Sequence, residues 1–162
     1  AAKTMNFLTE HGISSYGELE SKLTAVSARR DTAHAEIKRI ESRSAELALV
    51  MKHAGTYRQL KPLYDRYRKS NDKEKFLRGH ESEIILFEAA ARELKRLGAV
   101  PLPTTESMKT ELANLSAEKE RLLAEYKTAR TEAQEYETVK QNVDALLAVP
   151  KEQEQQRRHE LE

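Results

Sequence analysis

Apolar residues recur every seven positions along two stretches of the chain. In the first stretch they are Leu19, Val26, Ala33, Ile40, Leu47 and Ala54. Tyr16, Leu23, Ile37 and Met51 take a companion position, where Arg30 and Ser44 are polar entries. Alternating gaps of four and three are the seam of a coiled coil. The second stretch repeats the pattern with Met108, Leu115, Leu122, Ala129, Tyr136 and Val143. Leu112, Tyr126, Ala133 and Leu147 are its companions, with Lys119 and Lys140 as polar entries. The seams are equally long, and the segment between them is long enough to reverse the chain. The pattern therefore predicts an all-α fold: a long antiparallel coiled-coil hairpin with a small helical head.

Local signals set the expected boundaries. Residues 1–12 read as a short helix stopped by Gly12 and continuing from a missing upstream domain. Ser15 and Glu18 have capping-box spacing and open the first long arm, 13–55. The seam loses phase at Gly55. Residues 56–103 read as a basic helical head with a Pro linker. In it, Pro62 kinks a helix or sits in its first turn, and Ser70-Asn71-Asp72 caps the next helix. That helix runs from about Lys73 to Leu97 and stops at Gly98, before the extended "AVPLP". The second arm spans 104–149, and Pro150 ends it. Residues 150–162 read as a disordered tail, with Leu161-Glu162 as a cloning scar. In the expected register Leu19 faces Leu147, Leu23 faces Val143, Ala33 faces Ala133, and Arg30 lies over Tyr136 as a cation–π pair.

Composition supports long helices. Of 162 residues, 34% are charged and 38% hydrophobic, with no Trp. Such a chain buries a narrow seam instead of a thick core. Cysteine is absent, which removes disulfides and thiolate metal sites. No apolar run approaches a membrane span. The histidines His11, His34, His53, His80 and His159 show neither i, i+4 metal spacing nor HExxH. No glycine-rich phosphate loop or acidic metal motif accompanies the tyrosines, so no catalysis and no cofactor is expected of this segment.

Charge is distributed unevenly. Thr56 to His80 holds eight basic and three acidic residues, +5 in a chain whose net charge is +1. Tyr57, Tyr64, Tyr67 and Phe76 are interleaved with them. Basic groups neutralise phosphates and aromatic rings stack on unpaired bases, so the candidate nucleic-acid-binding set is Arg58, Lys61, Arg66, Tyr67, Arg68, Lys69, Lys73, Lys75 and Arg78. Against this stands a plainer reading, in which the tyrosines are core and the basic stems cover them from outside.

Several ordered blocks carry a resemblance. "AAKTMNFLTEHGISSYGELE", "YRQLKPLYDRYRKS", "KEKFLRGHESEIILFEAAARELKRLG" and "LPTTESMKTELANLSAEKERLLAEYKTAR" resemble, in this order, the region following the catalytic domain in mobilisation relaxases of conjugative transposons and plasmids. The resemblance covers about Ala2 to Leu147. It implies a DNA-nicking protein whose catalytic domain is absent here, so no catalytic residue carries over. Phe87 and Glu88 stand where relatives usually carry a His and more basic residues. The implied role is non-catalytic assistance to DNA or relaxosome binding during mobilisation, in the bacterial cytoplasm. The implied partners are DNA, single strands favoured, or relaxosome and coupling proteins. The alternative is a coiled-coil interaction or dimerisation module without nucleic-acid contact, although a monomeric hairpin is favoured over a homodimer.

Overall fold

A computed structural model describes residues 1–161, with the side chains of all but 149–154. The described chain is all-α. The helices are α1 (Ala2–Glu10), α2 (Tyr16–Lys69), α3 (Lys73–Arg96) and α4 (Thr105–Leu161). Long helices α2 and α4 pack against each other, antiparallel, as the two seams require. By contacts the chain divides into two compact units, Ala1–Ile37 with Glu120–Glu162, and Lys38–Lys119.

The caps lie where the sequence signals put them. The Ser15 hydroxyl accepts from the Glu18 amide at 3.2 Å. The Glu18 carboxylate accepts from the Ser14 amide at 2.8 Å, one residue before the usual capping-box donor. Asp72 caps α3 by accepting from the Lys75 amide at 3.1 Å. Gly12 and Gly98 adopt φ of +63° and +69°, the left-handed conformation that ends α1 and α3.

All six every-seventh residues of the first seam are buried, as are Met108, Leu115, Leu122, Ala129 and Tyr136 of the second. In the first unit, Phe7, Leu8 and Ile13 pack against a cluster of Leu19, Val26, Ala133, Tyr136 and Val139. In the second unit, α3 buries Ile84, Phe87, Ala90 and Leu94. Val50 and Val139 lie off the two-helix seam and are still buried, because α2 or α4 meets a third helix there and needs a wider apolar stripe. His80, with φ −137° and ψ 26°, bends α3.

Three expectations are corrected. First, α2 does not break at Gly55. It runs through Gly55 and Pro62 to Lys69, so the first arm extends well into the expected head. A helical Gly costs about 1 kcal/mol relative to Ala, less than the burial of the neighbouring Val50 and Ala54 returns. Second, α4 does not end at Pro150 but continues to Leu161, so the described part of the expected tail is helical. A proline removes one backbone bond without forbidding a helix on either side. The scar reading of Glu162 lies outside the described residues.

Third, the register differs. Tyr16 reaches Asp144 and Lys119 reaches Glu41, so the paired helices are offset by about one heptad, ~10 Å, from the expected pairing. Leu147 is left 57% exposed. A seven-residue repeat scarcely distinguishes registers one heptad apart. Contacts outside the repeat decide it. Tyr136 packs edge-on to Phe7 at 5.0 Å and lies 5.6 Å from His11, not against Arg30. The cation–π contact in this unit is instead Lys140 over Tyr16, 5.7 Å from the ring centroid.

Candidate nucleic-acid interface

The candidate residues lie on the last turns of α2, on the α2–α3 turn and on the first turns of α3. The turn is short because Ser70 and Asp72 hold it. The Ser70 amide donates to the Tyr67 carbonyl at 3.2 Å, and the Asp72 amide donates to the Ser70 hydroxyl at 3.2 Å. This brings Arg66, Arg68 and Lys69 at the end of one helix close to Lys73, Lys75 and Arg78 at the start of the next.

The structure separates the nine candidates into three groups. Arg58 is committed to the linker: its guanidinium donates to the Pro103 carbonyl at 2.6 Å and to the Thr105 hydroxyl at 3.0 Å. Lys61 is paired with Asp65 at 2.9 Å, a bond that raises its pKa. Arg66, Arg68, Lys69, Lys73, Lys75 and Arg78 are exposed and make no side-chain hydrogen bond or ion pair among the described residues. Only Asp72 and Glu74 oppose them between positions 66 and 78.

Tyr67 belongs with neither set of cations. It is half-buried, its ring 5.8 Å from Tyr64 and 6.0 Å from Phe76. Tyr57 and Tyr64 stack on either side of the buried Phe87 ring, at 4.8 Å and 4.2 Å. The interleaved aromatics thus form a ladder that joins α2 to α3. Each such pair adds about 0.5–1.5 kcal/mol beyond the area it buries. Tyr57 and Tyr67 are half-buried in this ladder, not freely exposed rings.

Half of the cations have a local explanation. Arg66, Arg68 and Lys69 sit at the C-terminal end of α2, where positive charge offsets the helix dipole. Lys73 and Lys75 sit in the first turn of α3, where positive charge opposes the dipole. Their presence there is unfavourable for α3 alone and favourable for an anion bound nearby.

Beside the cations, α2 and α3 flank an open groove of ≈ 450 Å³. Tyr57, Tyr64, Phe87 and Ala91 line it together with Arg68 and Arg92. Sequence reading missed Arg92 because it lies outside the basic stretch and is brought alongside only by α3 packing. Among the described residues no cluster of three His, Asp or Glu groups is placed to hold a metal ion. No described helix is long and apolar enough to cross a membrane. Comparison of the chain with protein-family models, curated proteins and solved structures gives no match.

Proposed function

We propose that this chain is a non-catalytic helical segment of a mobilisation relaxase, and that the α2–α3 end of its Lys38–Lys119 unit binds DNA through backbone phosphates. The observation that carries the DNA reading is the set of six exposed cations without partners among the described residues, two of them at a helix start that disfavours them. The ordered blocks of relaxase resemblance support the biological setting. The contacts are non-specific in sequence, since phosphates position a protein without reading bases.

The test is fluorescence anisotropy with labelled DNA at low salt, using the chain and a variant with Arg66→Glu, Arg68→Glu and Lys69→Glu. The reading predicts that the variant loses most of the affinity and that the salt slope shrinks by about one unit per lost phosphate contact. Unchanged binding in the variant overturns it.

A second reading rests on a different surface of the same unit. Ile85 and Leu86 are adjacent on α3 and 54% and 56% exposed. An apolar pair of this kind suits a protein partner or a second copy. Light scattering decides for self-association if the mass in solution is near twice 18.5 kDa.

A further inference from the structure

We propose that the groove between α2 and α3 receives an unpaired nucleobase from a single DNA strand, with the strand's phosphates passing over Arg68. The proposal rests on the DNA-binding reading above and adds what that surface prefers. Four observations carry it. The volume, ≈ 450 Å³, lies within the range of small-ligand sites. Its lining includes Tyr57, Phe87 and Tyr64, whose mutual stack leaves ring edges and the outer tyrosine faces as an apolar wall for a flat heterocycle. The Tyr57 and Tyr64 hydroxyls have no hydrogen-bond partner among the described residues, so both are available to a base edge. Arg68 belongs both to the groove and to the six free cations, so a backbone held by those cations runs past the groove mouth.

The charge of the lining agrees with this occupant. Asp65 is neutralised by Lys61. Arg92 is exposed, makes no ion pair among the described residues, and provides a second cation at the rim. Glu88 is the remaining acid, and its carboxylate is an acceptor for an exocyclic amine such as that of cytosine. Bases in a duplex are paired and stacked, and extruding one costs unstacking and unpairing energy, so a single strand delivers a base into the groove more readily. A preference for single strands therefore arises here from a groove rather than from exposed tyrosines.

The experiment compares oligo(dC) with an abasic phosphodiester of equal length and charge, by anisotropy at one low salt concentration. Ala91→Leu is measured beside the unaltered chain. It fills the groove without changing any charge. Oligo(dC) is expected to bind at least about fivefold tighter than the abasic strand. Ala91→Leu is expected to bring that ratio towards one while abasic affinity stays unchanged, with helical circular dichroism equal to that of the unaltered chain showing that the variant is folded. Equal affinity of the unaltered chain for the two strands overturns the groove and leaves the phosphate reading standing. A ratio that Ala91→Leu does not lower also overturns it. Absence of binding to either strand overturns both.

Discussion

Along the paired parts of α2 and α4, cations meet acids. Arg29 reaches Glu132, Arg39 reaches Glu118, Arg43 reaches Glu111, and Lys119 reaches Glu41. Between Arg66 and Arg78, six cations meet none among the described residues. Both regions are helical, exposed and rich in Lys and Arg, and both border apolar side chains. What differs is the partner. On the arms, charge lines the seam and restricts its register, the usual task of positions flanking a coiled-coil core. At the α2–α3 end there is no seam to flank, and the charge faces outward. A basic stretch in a helical protein therefore points to a ligand only after the cations with neighbours have been set aside. Arg58 and Lys61 are the two that drop out.

The largest effect expected from breaking this contrast is on the seam. Leu47 is 2% exposed, and Leu47→Ala should destabilise the Lys38–Lys119 unit by about 2–5 kcal/mol, read from urea unfolding followed by circular dichroism. A loss under 1 kcal/mol would mean that the seam is not the source of stability there. Gly55→Ala should act in the opposite direction. Gly55 is inside α2, and a Cβ added there meets nothing within 4 Å, so a gain of about 0.5–1 kcal/mol is expected. A destabilised variant would show that the helix does break at Gly55.

That disagreement at Gly55 illustrates what was legible in the chain. The every-seventh pattern disclosed two arms, and Ser15, Asp72 and Gly98 marked helix ends, because each acts through neighbours only a few residues away. Register was not legible, since a repeat matches itself when shifted by its own period. It depends on Phe7 and His11 reaching Tyr136, contacts that span most of the chain. Continuity at Gly55 was not legible either, because a local penalty of about 1 kcal/mol is outweighed by burial of Val50 and Ala54 on the same helix. At the candidate site the cations were legible as a cluster, but the rings were not. Tyr57 and Tyr64 are held by Phe87, which lies on another helix.

Acid should reveal the paired carboxylates as a group. Hydrogen bonds from Arg43 hold Glu111 below the usual carboxylate range, those from Arg96 lower Glu93, the Ser14 amide lowers Glu18, and the Tyr16 hydroxyl lowers Asp144. Each is a weaker proton acceptor folded than unfolded. Their contribution is full above the ordinary carboxylate range, about 4, and is lost as pH falls through the lowered values. Tyr16 behaves oppositely: donating to Asp144 raises its pKa, so its contribution holds below about 10 and is lost as pH rises through the raised value. Denaturation midpoints across pH check both edges, and a midpoint that is flat through the acid range would contradict the pairing.

Arg43→Ala removes a two-pronged bond to Glu111, at 2.7 and 3.1 Å, on side chains that are 40% exposed. Solvent screening limits the loss to about 0.2–1 kcal/mol in the same unfolding assay. The smallest effect on stability belongs to the unpaired cations. Arg66→Ala with Lys73→Ala should change stability by no more than about 0.5 kcal/mol. A larger loss would mean that these groups serve the fold, and the contrast with the arms would disappear.

The central claim is that the six unpaired cations at the α2–α3 end bind phosphate. Its most direct measurement is the affinity of the unaltered chain for single-stranded DNA across a salt series. The prediction is a linear fall of log affinity with log salt concentration, with a slope no steeper than about −4 if all six engage a single strand. Absence of binding at low salt, or affinity that does not respond to salt, would contradict it.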